Sequence, residues 1–150
     1  MIAITEFLEN TGHCEFLHRL ERKHLERLAG LAKEVRFKAG QVIFEEGAKH
    51  GRFFLLSEGE VVLETDGRVL VELKPGDALG WSSLAASPGG AHFRARAVTT
   101  AVRALAFDGA QLAAACEADP AFGYYIMKAL LSVVTERLDA TRLQLAARDR

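Results

Sequence analysis

Residues 35–63 read VRFKAGQVIFEEGAKHGRFFLLSEGEVVL, short apolar runs cut repeatedly by glycine. Gly40, Gly47, Gly51 and Gly59 separate these runs, and glycine admits the positive φ that tight turns demand. Phe53 and Leu55 alternate onto one face of the middle run, which marks them as core. The punctuation continues at Gly67, Gly76 and Gly80. Asp66-Gly67, between VVLET and RVLVEL, is a two-residue hairpin signal. Pro75-Gly76-Asp77 is a further turn, because proline presets its φ. Short β-rich runs with turn signals about 8–12 residues apart predict a sandwich or barrel over residues 35–108.

The period changes on either side. In residues 1–34, Phe16, Leu17, Leu20, Leu25, Leu28 and Leu31 recur at helical spacing. Residues 109–150 return to helix. A short one runs over 111–118, and Asp119-Pro120 opens a longer one as N-cap and first helical position. Along it Met127, Leu131, Val134, Leu138, Thr141 and Leu145 form an a/d seam of about two and a half heptads. The seam either packs on the domain's own roll or pairs with a second copy. A parallel homodimer is the favoured reading, with the polar Thr141 setting register. The tail AARDR is expected to fray. The predicted class is therefore α+β: one domain over 1–150, a β-roll (double-stranded jelly-roll) between N-terminal helices and a long C-terminal dimerisation helix.

Composition narrows the function. The chain has 150 residues, 49% apolar and 26% charged, with 19 basic against 20 acidic residues. Near-neutral charge advertises no nucleic-acid or membrane surface. The N-terminus has no signal-peptide pattern and no run reaches the length of a membrane span, so the expected location is cytoplasmic. Cys14 and Cys116 are read as free thiols. His13, Cys14 and His18 lack a spacing that converges on a metal, and none is expected. No H-x-H pair and no G-x-S-x-G setting supports catalysis, so the chain is read as no enzyme.

Residues 76–97, GDALGWSSLAASPGGAHFRARA, carry the resemblance that matters for ligand. With Gly40, Phe44, Glu46, Gly47, Phe53, Phe54, Leu55, Gly59 and Val61, they resemble the cyclic-nucleotide-binding domain of the Crp/Fnr family. In that family GDALG precedes a short helix whose amides face a cyclic phosphate, an arrangement suited to anions. The resemblance therefore implies a cassette of Gly80, Trp81, Ser82, Ser83, Leu84, Ala91, His92 and Arg94, with Thr141 and Arg142 meeting the base from the long helix. The departures are as informative. The family has Gly-Glu where this chain has Gly80-Trp81, and Arg-Ser/Thr-Ala where it has Gly89-Gly90-Ala91. The ribose carboxylate and the phosphate arginine are missing. Gly-Trp-Ser followed by a Pro-containing loop and His-Phe-x-Ala-Arg-Ala resembles a distinct subgroup of stand-alone Crp-like sensors.

Trp81 reads either as a ligand-facing ring or as a core aromatic capping the barrel. Phe93, Ala95 and Ala97 take the inward face by period two, which turns His92, Arg94 and Arg96 outward. The function expected is a non-catalytic ligand-sensing domain with weak or no binding of cyclic AMP or cyclic GMP. Its only candidate cofactor is a cyclic nucleotide or another small ligand. Its output would pass through the dimer helix to a partner protein. No helix-turn-helix follows within these residues, so direct DNA binding is not expected. The alternatives are a dimeric interaction module with a vestigial pocket, or the sensor half of a Crp/Fnr transcription regulator.

Overall fold

The computed structural model describes residues 2–49, 51–84 and 90–148. Three short helices open the chain, α1 (Ile2–Thr11), α2 (Glu15–His18) and α3 (Arg22–Ala29). Eight strands follow: β1 (Ala32–Lys38), β2 (Val42–Phe44), β3 (Arg52–Glu58), β4 (Val61–Thr65), β5 (Arg68–Leu73), β6 (Ala78–Leu79), β7 (Arg94–Ala97) and β8 (Ala101–Asp108). Two helices close it, α4 (Gly109–Ala118) and α5 (Pro120–Arg148). The strands form two four-stranded antiparallel sheets, ordered β1-β8-β3-β6 and β2-β7-β4-β5. This is the α+β β-roll expected from the sequence.

Local chemistry explains the joints. Asp66-Gly67 connects β4 to β5 with Thr65 opposite Arg68, a two-residue hairpin. The Asp108 carboxylate accepts from the Gln111 amide at 2.9 Å, and Asp119 accepts from the Phe122 amide at 3.3 Å. Each aspartate satisfies a donor that the helix start leaves orphaned. The N-terminal zone departs from its reading in one respect. Strand β1 starts at Ala32, three residues before the expected 35, and pairs with β8 from Ala32 opposite Phe107 onward. The ladder hydrogen bonds to β8 override a helical period that Leu31 seemed to continue.

There are two cores, and β3 divides them. Phe53 and Leu55 face the helices, where Leu105 and Phe107 of β8 join Ile4, Phe16, Leu28, Phe122 and Ile126. Phe54 and Leu56 face the other way, into the roll, with Phe37, Val61, Leu63 and Leu79. The strand is thus buried on both faces, and Phe53 and Leu55 supply only the helix side. Inside the roll, β7 and β8 contribute Ala95, Ala97, Ala104 and Ala106. Such small side chains leave room between the sheets, and the candidate site lies at that end of the roll.

Helix α5 carries an inner and an outer stripe. Phe122, Ile126, Ala129, Leu130 and Val133 are buried against the domain, and Arg137 continues the same stripe. Met127, Leu131, Leu138 and Leu145 lie outside and exposed, with Val134 half-buried between the two. Among the described residues no helix is long and apolar enough to cross a membrane.

Candidate functional site

Gly80 follows β6 in the left-handed region, and Trp81–Ser83 form a three-residue 3-10 turn. The Ser83 amide and hydroxyl both donate to the Gly80 carbonyl, at 3.1 and 2.9 Å, and the Leu84 amide donates to the Trp81 carbonyl at 2.9 Å. The amides of Ser83 and Leu84 are spent inside the turn. The anion-facing helix implied by the resemblance is reduced here to a single tight turn.

Beside this turn the roll opens into a small, half-open pocket. Phe44, Leu63, Leu79 and Phe93 give it an apolar wall, and Ala91 closes one side. Its other lining side chains are Trp81, Ser82, His92 and Arg137. Among the described residues no carboxylate belongs to that lining, so a sugar hydroxyl would find there no acceptor of the kind the family glutamate supplies.

Gly90 stands where the family has serine or threonine. Its φ is 73°, and a Cβ there would lie 2.5 Å from the Gly47 carbonyl oxygen and 2.7 Å from that of Ala48. The next residue, Ala91, bonds through its amide and carbonyl to the same turn, at 3.0 Å to Ala48 and 2.8 Å to Gly47. Glycine at 90 therefore meets a packing demand of this chain. Gly89, at the position of the family arginine, lies outside the described residues.

The charge in the pocket comes from elsewhere. Arg137 reaches from α5, is only 8% exposed, and donates Nη2 to the Ala78 carbonyl at 2.9 Å. Its guanidinium carbon lies 4.9 Å from the centre of the Trp81 ring, a cation–π stack. Nη1 is buried with no hydrogen-bond partner. Burial pushes the guanidinium pKa down, and the more distant charges of Asp77 and Glu136 oppose that shift. Sequence reasoning missed this residue, because the outer heptad stripe drew the reading of the helix. The signal was present: Phe122, Ile126, Ala129 and Val133 step inward at helical spacing, and Arg137 falls next in the series.

Other expected site residues are distributed differently. Ser83 and Leu84 lie outside the pocket lining, with Leu84 packed on the helical core. Arg94 pairs with Glu64 on the outer face of the roll, Nε to Oε1 at 3.0 Å. The Thr141 hydroxyl donates back to the Arg137 carbonyl at 2.9 Å, and Arg142 is exposed. Neither lines the pocket. Trp81 is half-buried, packing on the helical core while lining the pocket. No group of His, Cys, Asp and Glu among the described residues could hold a metal.

Arg96 also binds Glu64, which is buried between the two arginines. The hydrogen bond from Arg96, then the charges of both arginines, hold the Glu64 carboxyl below its ordinary value of 4.5. A depressed folded-state pKa stabilises above the unfolded value and loses that contribution as pH falls through the folded one. Glu64→Gln should thus lower stability at neutral pH and shrink the gap from the parent as pH falls below about 4.5. Urea midpoints at pH 7, 5 and 3 read this out, and a gap constant with pH would refute it.

Comparison with known proteins places this geometry. The family model for the cyclic nucleotide-binding domain matches residues 34–119. The chain belongs to the cyclic-nucleotide-binding domain family. A solved structure from Geobacter metallireducens GS-15, provisionally described as a cyclic nucleotide-binding protein, is 33% identical. It superposes with a TM-score of 0.72 over 82% of this chain and 91% of that one. The N-terminal domain of a transcriptional regulator from Streptomyces coelicolor A3(2) is 25% identical, with a TM-score of 0.66 over 84% and 90% of the two chains. The cGMP-dependent protein kinase egl-4 of Caenorhabditis elegans is 30% identical over 66 residues, 44% of this chain but 8% of that kinase. This cyclic-nucleotide-binding domain thus spans less than a tenth of the curated relative's length, and its fold is a regulatory one.

Proposed function

We propose that this cyclic-nucleotide-binding domain is a non-catalytic, ligand-sensing regulatory module. It binds cyclic AMP and cyclic GMP weakly or not at all, and signals through a helical homodimer to a partner protein in the cytoplasm. One observation carries the reading: a side chain of the long helix, Arg137, forms part of the pocket wall. Arg137 and Leu138 are consecutive, the first buried in the pocket and the second 65% exposed on the outer stripe. A ligand that engages Arg137 acts on the helix that also carries the outer stripe, the kind of link between sites that regulation needs.

The weak-binding part follows from the pocket's inventory. Among the described residues its lining has no carboxylate for a ribose hydroxyl, and the amides of Ser83 and Leu84 are already bonded. A charge-assisted hydrogen bond is worth about 1.5–3 kcal/mol, so losing one costs roughly 10- to 150-fold in affinity. Calorimetric titration with cyclic AMP and cyclic GMP is expected to give dissociation constants well above about 1 µM, weaker than roughly −8 kcal/mol. A submicromolar constant for either nucleotide would sink this part of the reading.

A further inference from the structure

Arg137 poses an electrostatic problem that the domain does not solve internally. It is 8% exposed, and no carboxylate of the described residues pairs with it. The acid that acts most on it by charge, Asp77, accepts from the Lys74 amide at 3.0 Å instead. The contrast with the other buried charge is direct, since Glu64 lies between two arginines. A buried charge is costly unless it is paired and hydrogen-bonded. Here one carbonyl and one aromatic face do part of that work, and Nη1 has no partner.

The surroundings say what would complete it. Phe44, Leu63, Leu79 and Phe93 form an apolar wall beside the guanidinium, and among the described residues Ser82 and His92 are the other polar side chains in the lining. Such a cavity favours a compact apolar body, because each polar edge buried without a partner costs free energy. A planar guanidinium favours a carboxylate, which takes two parallel N–H donors.

We infer that the pocket takes a small ligand with an apolar body and a single carboxylate, held by Arg137 of α5 against Trp81. The inference rests on the ligand-sensing reading and names the chemistry of that site. Engagement of Nη1 draws on the same guanidinium that tethers α5 to the Ala78 carbonyl and to the cassette turn. The ligand's charge is thus felt by the long helix directly.

Trp81 is the chain's single tryptophan, so its fluorescence reports on the site without a label. The test titrates the intact chain with carboxylates from acetate through phenylacetate to 4-phenylbutyrate. Each aryl acid is matched by its neutral amide, and cyclic AMP is titrated in parallel. The aryl carboxylates are expected to give a saturable change, tighter than their amides and than acetate by at least about tenfold. Arg137→Met should remove that preference while its thermal melt stays cooperative. Arg137→Lys, which keeps charge but loses the fork, should retain part of it. Equal binding of acid and amide overturns the inference, as does a preference that survives in Arg137→Met. Saturation by cyclic AMP without any by the carboxylates overturns it and leaves the sensing reading standing. Silence toward both, in fluorescence and in melting temperature, overturns the two together.

Discussion

Gly59→Ala is expected to lower the stability of this domain by about 3 kcal/mol or more, combining the cost of positive φ with that of overpacking. Gly59 turns the chain from β3 to β4 with φ at 85°. An added Cβ would run into the Ala101 carbonyl oxygen, and it would lie 2.6 Å from Thr99 Oγ1. Neither neighbour can yield cheaply. The Thr99 hydroxyl accepts from the Glu60 amide at 3.0 Å, and the Val98 amide donates to the Glu60 carbonyl at 3.0 Å. Those bonds stitch the β3–β4 turn to the β7–β8 connection, and thereby one sheet to the other. For a chain of this size the loss corresponds to roughly 6–12 °C in Tm. Gly67→Ala separates the two causes. Gly67 has φ of 73° but open space where its Cβ would go, so it should cost only about 1–2 kcal/mol, the conformational part alone. Calorimetric melts of both variants decide the matter. Equal losses would mean that the contact at Gly59 contributes nothing.

The same stretch shows what can be read from sequence and what cannot. Glycine spacing and apolar alternation over 35–63 disclosed the roll, because turn chemistry and strand period are local properties of the chain. The N-cap Asp119 was legible for the same reason. What stayed hidden was the partition of β3 between two cores. Alternation says that Phe53 and Leu55 share a face, not which layer covers it, and here both faces are covered. The site was harder still. Trp81 and the absent glutamate are visible in the cassette itself, whereas Arg137 lies 56 positions downstream and meets Trp81 only through the packing of α5 on the roll. A guanidinium on a helix otherwise rich in charge carries no mark of burial until its stripe is followed inward. Gly90 also changes meaning once its neighbours are known. As a sequence departure it is a missing hydroxyl, but in the fold it is the residue that fits against the Gly47 and Ala48 carbonyls.

On the proposed homodimer, the unaltered protein is expected to sediment as a dimer, and paired substitution of Leu131 and Leu138 by glutamate is expected to yield a folded monomer. Each leucine is 65% exposed within one chain, and Met127 and Leu145 extend the stripe at 42% and 54%. Exposed leucines seven residues apart, with Val134 and Thr141 continuing the seam, are what a second, parallel copy of the same helix covers. Because they touch little of their own domain, glutamate at both positions should leave the melt cooperative. Inner-stripe residues such as Ile126 and Leu130 hold α5 to the roll and would not give so clean a test. Burying a leucine contributes about 1.5–3 kcal/mol, and a dimer would bury two from each copy. Even the low end, roughly 6 kcal/mol, amounts to about four decades in the dimer dissociation constant. Analytical ultracentrifugation across micromolar concentrations resolves such a change. If the double variant sediments as its parent does, the stripe is not the interface. Movement of Arg137 would then have no seam to act on, and the proposed route from pocket to partner would have to leave the domain elsewhere. If it is monomeric and still answers ligand through Trp81, sensing and assembly are separable, and Leu138 is where Arg137 joins them.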